Sequence, residues 1–287
     1  MRTRLPMARL GIILLSVCLL SPSLISCNFF FSAPQNSSPP ASSYVSPLDW
    51  EQLIQDENGR FQYFRDGEVQ SRFGVDVSEH QGSIDWQAAH DDGVEFAMIR
   101  LGNRGATEGQ LYLDPYFEAN IQGAQEAGIA VGVYFFSQAI NAGEAREEAQ
   151  FVLQNLNGRA LDYPVAFDHE TVAGLEGRAN QLTDAEISRC AEAFFEVIRA
   201  AGYKTMLYGN KKDLGRLDAS LLNSHAIWFA EYDSPHPTLE HDLVMWQYSS
   251  QGSVAGISTQ TDLNILFLPQ KESAQATPET DSTQPIP

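Results

Sequence analysis

The sequence predicts an α/β fold: a mostly parallel sheet closed into a reduced barrel, with its helices thinning out after the fifth strand. Three observations carry this. First, eight short apolar runs follow one another: Phe73–Val77, Phe96–Leu101, Ile129–Phe136, Pro164–Asp168, Thr205–Tyr208, Ile227–Tyr232, Leu243–Tyr248 and Thr261–Leu266. Second, amphipathic segments separate the earlier runs and are weak between the later ones. Strand–helix alternation of this kind builds a parallel sheet. Third, residues 73–268 are too few for eight complete strand–helix units, which take ~250 residues.

The chain opens on an address. Residues 1–26 hold Arg2, Arg4 and Arg9 and no acid, and residues 10–20 (LGIILLSVCLL) are apolar. That run is shorter than the ~20 residues a membrane-spanning helix needs, and it fits the core of a secretory signal. Leu24-Ile25-Ser26-Cys27 resembles a bacterial lipobox. The resemblance implies cleavage before Cys27, lipidation of its thiol, and an exported protein anchored to a membrane at the cell envelope. An ordinary signal peptide with a chance cysteine is the alternative. Residues 27–48 read as a flexible tether, because 32–47 hold six Ser and four Pro and cannot bury a core. About 20 such residues reach roughly 25 Å.

Charge and cysteines narrow the class. The chain has 18 Lys+Arg against 37 Asp+Glu, a net charge of −19. Without the three arginines of the signal it becomes −22. This excludes a nucleic-acid binder that relies on overall charge, and a polybasic membrane-surface protein. Apolar residues at 43% permit a real core. After loss of Cys18 and lipidation of Cys27, only Cys190 remains, so no intramolecular disulfide forms. No Cys/His spacing suits zinc, and neither a metal nor a cofactor is expected. A monomer is expected.

Within residues 49–72, Phe61-Gln62-Tyr63-Phe64 followed by Asp66-Gly67 suggests a small hairpin leading into the domain. Asp114-Pro115 offers an N-cap and a first-turn proline. Phe117, Ile121 and Ala124 then share a face, and Gly128 can end the helix. Thr183 and Glu186 form a capping box. That helix places Ile187, Cys190, Phe194 and Val197 on one side, so Cys190 reads as core packing. Residues 269–287 are again rich in Pro, Ser, Thr and Gln and read as a disordered tail.

In parallel barrels function gathers where strands end. Four acids lie there: Asp76, Asp168, Glu170 and Asp262. Asp168 and Glu170 are the most informative. Residues i and i+2 on a strand point to one face, with Cα atoms ~6.6 Å apart. Two carboxylates sharing one site push their pKa values apart, so one can stay protonated while the other stays charged. That division suits glycosidic-bond cleavage. Two solvated acids at a strand end are the alternative for this motif alone. His169 projects to the opposite face and reads as packed or solvated. Aromatic residues follow the same strand ends: Tyr134, Phe136, Tyr208, Trp228, Tyr232, Trp246 and Tyr248. Half of them would line a groove where sugar faces stack, and the rest would fill the barrel.

An ordered set of segments then resembles a known family. It comprises residues 76–82 (DVSEHQG), Ile99-Arg100, 132–136 (GVYFF), Pro164 to Glu170, 207–210 (LYGN), 227–232 (IWFAEY), 245–248 (MWQY), Gly252 to Gly256 and 261–264 (TDLN). Together they are similar to glycoside hydrolase family 25, the Chalaropsis-type lysozymes or N-acetylmuramidases, over residues 73 to about 268. The resemblance implies a TIM-like (β/α)5(β)3 barrel that cleaves the β-1,4 bond after N-acetylmuramic acid in peptidoglycan glycan strands. By position it implies Glu170 as general acid, with Asp168 orienting the substrate's 2-acetamido group, whose oxygen attacks the anomeric carbon. Asp76 and Asp262 would bind and polarise the reacting sugar. Tyr134, Phe136, Arg100, Tyr208, Trp228, Tyr232, Trp246 and Gln247 would bind substrate.

Glu231 departs from the pattern, standing where a neutral polar residue is expected and adding an acid near the groove. No repeat domain for wall binding is recognisable, so the tether would hold the enzyme near the wall. Two other readings stand beside the muramidase: a non-catalytic glycan-binding lipoprotein on the same barrel, and a glycosidase for another N-acetylhexosamine polymer such as chitin. The presence of all four acids argues against a dead site.

Overall fold

The computed structural model describes residues 44–174 and 176–269. The expectations for the signal segment, Cys27, the tether as far as residue 43 and the tail from residue 270 fall outside them. Residues 44–48, read from sequence as the end of the tether, lie against the barrel. The Tyr44 hydroxyl donates to Asp242 at 3.1 Å, and Leu48 packs on the core.

A single 3-10 turn, Trp50–Gln52, leads into a small antiparallel sheet of β1 (Leu53–Gln55), β2 (Phe61–Arg65) and β3 (Glu68–Val69). Asp66 and Gly67 have φ of 54° and 80° and make the tight β2–β3 turn.

The barrel follows. Its elements are β4 (Ser71–Val77), α1 (Trp86–Asp91), β5 (Phe96–Arg104), β6 (Leu111–Leu113), α2 (Phe117–Glu126), β7 (Ala130–Phe136), α3 (Ala142–Leu156), β8 (Val165–Asp168), α4 (Asp184–Ala200) and β9 (Thr205–Asn210). Two short helices come next, α5 (Lys211–Leu214) and α6 (Ala219–Ser224). Then come β10 (Ala226–Ala230), β11 (Met245–Gly252) and β12 (Thr261–Phe267). Neighbouring strands run β4-β5-β7-β8-β9-β10-β11-β12, and β12 pairs back with β4, which closes eight strands into a barrel. β12 is antiparallel to both neighbours, and β6 is a hairpin strand on β5. Each of the eight apolar runs contributes one barrel strand. Among the described residues no helix follows β10, which gives the (β/α)5(β)3 order.

Side chains alternate across each strand, and the inward set fills the barrel. Phe96, Met98, Ala166, Met206, Trp228, Met245 and Leu266 form this inner cluster. Two inward positions must be glycine. A Cβ on Gly74 would lie 2.4 Å from the Phe96 ring, and one on Gly132 would lie 2.6 Å from Met98 Sδ. The interior is a packed core rather than a pore.

Helix termini follow their local chemistry. Thr183 opens α4, with its N–H and Oγ1 both donating to Glu186 at 2.8 Å, and Gly128 ends the α2 turn at φ 78°. Asp114 is not the N-cap of α2. Tyr116 holds that place, and Asp114 instead accepts from Tyr116 N at 2.9 Å and from the Arg100 guanidinium at 2.8 Å. The carboxylate serves the turn before α2 through Oδ1 and the ion pair through Oδ2. Cys190 is fully buried on α4, and burial pushes its thiol pKa up to about 12.

Among the described residues no helix follows the last strands to cover their outer face, and the small N-terminal sheet packs there instead. Phe61 packs on Trp246 and Tyr248, with ring centroids 5.0 and 5.1 Å away. Tyr63 meets Phe267 edge-on at 5.6 Å, and the Arg60 guanidinium lies 4.5 Å over the Phe73 ring. Apolar outer positions of β4, β11 and β12 are thereby taken out of water.

Candidate active site

The inward rows of the strands continue past the apolar filling and end in polar residues at one mouth of the barrel. Above Gly74 stands Asp76, above Met98 stands Arg100, and above Gly132 stand Tyr134 and Phe136. Above Ala166 stand Asp168 and Glu170, above Met206 stands Tyr208, and above Met245 stands Gln247. β12 runs the other way, so Asp262 reaches the same mouth at the strand's start. These residues, with Ser78, His80, Gln81 and Trp228, line a cleft of about 200 Å³. A larger groove of about 990 Å³ lies between the N-terminal sheet and the loops after β10 and β11. It lacks paired acids, and its Asp92 is tied to Arg60 at 2.6 Å. The chemistry therefore belongs to the smaller cleft.

The acids form two pairs. Asp262 is the cross-strand partner of Asp76, and both line the cleft. Burial first, then the Asp262 charge, holds the Asp76 carboxyl well above the usual range; burial also raises Asp262. Asp168 and Glu170, two residues apart, share the same cleft. Burial and then the Glu170 charge push Asp168 well up, while Glu170 is raised by burial and by the neighbouring Asp213 carboxylate. Each pair can keep one proton and one charge, because like charges this close resist double ionisation.

Asp76 is also held by two amides. Gln247 Nε2 and Asn264 Nδ2 both donate to its Oδ2, at 2.8 and 2.7 Å. Their orientation is set from behind. Gln247 Oε1 accepts from the hydroxyls of Tyr208 at 2.9 Å and Tyr232 at 2.7 Å, and Asn264 Oδ1 accepts from Trp228 Nε1 at 2.8 Å. With each amide oxygen so occupied, its NH₂ end must face Asp76.

Most of the residues expected at the site meet here. Arg100 lines the wall, but its guanidinium is committed to Asp114 at 2.8 Å and Glu79 at 2.7 Å, which anchors the 78–82 turn. Tyr134 and Tyr208 flank the Trp228 ring, with centroids at 5.9 and 4.4 Å. Trp228 itself is buried and forms the floor, while Tyr232, 42% exposed, stands at the rim. Burial pushes the Tyr134 and Tyr208 phenols far up, so both remain hydroxyl donors.

Trp246 is a correction. It is fully buried on the outside of the barrel, against Phe61, with Nε1 donating to the Glu231 carbonyl at 2.9 Å. Met245 and Gln247 point inward, so strand alternation turns Trp246 and Tyr248 outward. Glu231 also stays out of the cleft, its carboxylate accepting from Thr238 N at 2.7 Å and Oγ1 at 2.6 Å. His169 is packed, its ring parallel to Phe167 at 6.2 Å, and burial lowers its pKa to about 4, leaving it neutral.

Besides the lining residues Ser78, His80 and Gln81, the neighbours Asn264, Asp213 and Gln138 were not singled out from sequence. Asn264 lies two residues from Asp262, so the i, i+2 rule that paired Asp168 with Glu170 could have found it. Asp213 and Gln138 carry no local signal.

The family model for glycosyl hydrolases family 25 matches residues 75–257, a span that contains Asp76, Asp168 and Glu170 and stops short of Asp262. The autolytic lysozyme of Clostridium acetobutylicum is 30% identical over 191 residues, covering 67% of this chain and 54% of the relative. A bacterial lysozyme from Streptomyces coelicolor superposes with a TM-score of 0.58 at 26% identity, covering 67% of this chain and 90% of the other. The modular autolysin LytC from Streptococcus pneumoniae shares the fold with a TM-score of 0.63 at 24% identity, covering 75% of this chain and 52% of the other. The chain thus spans about half the length of the clostridial and pneumococcal proteins it matches. A matched span that takes in most of the chain, together with the closed barrel, makes the chain a member of glycosyl hydrolases family 25.

Proposed function

We propose that this protein is a peptidoglycan hydrolase that cleaves the β-1,4 bond between N-acetylmuramic acid and N-acetylglucosamine. The observation that carries the proposal is the meeting of two carboxyl pairs, Asp168/Glu170 and Asp76/Asp262, in one cleft at the barrel mouth. Glycosidases need a protonated acid beside a second, charged carboxylate, and paired, buried acids supply both states near neutral pH.

Catalysis would be substrate-assisted. The acetamido N–H donates to Asp168, which favours the Asp168 anion and drives the shared proton onto Glu170. The acetamido carbonyl oxygen attacks the anomeric carbon as Glu170 protonates the departing glycosidic oxygen. Glu170, now ionised, takes a proton from the water that opens the cyclic intermediate. Asp76, fixed by Gln247 and Asn264, and Asp262 beside it would hold and polarise the reacting sugar. Tyr134, Phe136, Tyr208 and Tyr232 would give its apolar faces a wall.

The finer setting belongs to the same reading. Residues 1–26 direct export, Cys27 carries the lipid anchor, residues 27–43 act as tether, and the protein works as a monomer on wall near its membrane. Residues 49–72 belong structurally with the barrel.

The test is digestion of purified peptidoglycan by the purified protein, with mass spectrometry of the released sugars and Glu170→Gln alongside. Reducing-end N-acetylmuramic acid from wild type, and a loss of ~10²–10⁴-fold in the variant, is the expected outcome. Wall binding without release would favour a glycan-binding lipoprotein, and release from chitin alone would favour a different N-acetylhexosaminidase.

A further inference from the structure

The segment that carries the acid pair has no ladder partner of its own beyond Asp168, where β8 ends. It is braced from the loop after β7. Ser137 N donates to the Asp168 carbonyl at 2.7 Å. The Gln138 side-chain amide donates through Nε2 to both the Ser137 carbonyl at 2.9 Å and the Glu170 carbonyl at 3.0 Å. One dipeptide thus grips the backbone at both acids. Ser137 and Gln138 are each completely buried.

The brace is itself held by an ion pair in the core. Glu148 on α3 accepts from Ser137 Oγ at 2.6 Å, from Gln138 N at 3.3 Å and from Arg104 Nε at 2.9 Å. Arg104, at the end of β5, spends its remaining donors on the Gly109 carbonyl at 2.7 Å, the Glu144 carbonyl at 2.9 Å and the Glu147 carboxylate at 3.2 Å. Glu144 is in turn paired with Arg178 at 2.6 Å. Burying ions this fully is costly, and a buried pair is weak evidence for stability alone. Apolar packing would hold α3 to the barrel as well. What apolar packing cannot supply is a fixed set of directional contacts on the loop that grips Glu170.

We infer that Gln138 is a positioning residue that fixes the height and aim of the Glu170 carboxyl, and that the buried Arg104–Glu148 pair is its rigid mount. The inference rests on the proposed role of Glu170. It concerns residues that touch no substrate and line no part of the cleft. Misplacing a catalytic group by ~1 Å can cost about 10²-fold in rate, so a brace two contacts away is worth rate rather than affinity.

The experiment compares four proteins on soluble glycan fragments: wild type, Gln138→Met, Val152→Ala and Glu170→Gln. Methionine keeps the volume of Gln138 and removes its donors. Val152 is fully buried on the same helix as Glu148 and has no role in the brace, so its variant reports loss of core packing alone. The expected result is a kcat for Gln138→Met reduced ~10–100-fold, with KM within about twofold and the limb of the pH–rate profile assigned to Glu170 displaced. Val152→Ala should be destabilised with kcat and pH profile unmoved. Wild-type kcat and pH profile in Gln138→Met would overturn the inference. So would a rate loss that Val152→Ala matches at equal stability. An active Glu170→Gln would instead sink the proposed function, whatever Gln138→Met does.

Discussion

Asp262 lies directly opposite Asp76 across the β4–β12 pair, and both carboxyl groups line one cleft. Cross-strand like charges are destabilising, and here burial magnifies the cost. The arrangement stores instability at the point where the reacting sugar would bind.

A pH signature follows for stability. Asp76, Asp168, Glu170 and Asp262 all have raised carboxyl pKa values in the folded state, first by burial in each case. A raised folded value means the native state binds protons that the unfolded state has released. The stabilising contribution is complete below about pH 4 and is lost as pH rises through the folded values. Asp262→Asn removes one charge of the pair. It should raise Tm near pH 7 by about 2–4 °C for each ~1 kcal/mol gained, with the difference closing near pH 4, and it should abolish turnover. Calorimetry from pH 4 to 8 reads this, and a variant less stable than wild type at pH 7 would contradict it.

Asp213 should set the pH range of the reaction. It sits on α5, held by Asn210 Nδ2 at 2.5 Å, and its charge is the first electrostatic influence on Glu170 after burial itself. A like charge keeps Glu170 protonated to higher pH. Asp213→Asn should therefore move the alkaline limb of kcat/KM to lower pH, by less than the whole shift because burial remains. A limb that stays in place, measured on a soluble substrate, would remove Asp213 from the site.

Asn264 is predicted to be both structural and electrostatic. Its oxygen takes the Trp228 indole N–H and its NH₂ donates to Asp76. Asn264→Leu leaves a buried donor and a buried carboxylate each short of a partner, at a cost of about 1–3 kcal/mol. The urea midpoint should fall with the slope m unchanged. A midpoint equal to wild type would mean that water replaces both contacts.

The fold was legible because its signals are local. Eight apolar runs, the Thr183–Glu186 box and the Asp66-Gly67 turn each read out within a few residues. The cleft was legible where two site residues stand two apart at one strand end, as at Asp168 and Glu170. It was illegible where register decides. Trp246 sits between Met245 and Gln247, and nothing in that tripeptide says which face is inward. Gln138 and Glu148 were invisible for another reason. Their contacts run to Glu170 and Arg104, across separations of 32 and 44 residues that no periodicity encodes.

The N-terminal sheet should be an integral wall of the barrel rather than an appendage, although it precedes the span matched by the family model. Phe61 is its main anchor, buried against Trp246 and Tyr248 on β11, which no helix follows among the described residues. Phe61→Ala opens a cavity there and should cost about 3–5 kcal/mol. Cross-strand packing of β11 is otherwise intact, and Gln247 still faces inward, so the folded fraction should keep its kcat. Urea unfolding followed by tryptophan fluorescence and circular dichroism gives the midpoint, and glycan hydrolysis at low denaturant gives kcat. A wild-type midpoint would show that the outer faces of β11 and β12 tolerate water, and a lost kcat in folded protein would show that the sheet reaches the cleft through Gln247.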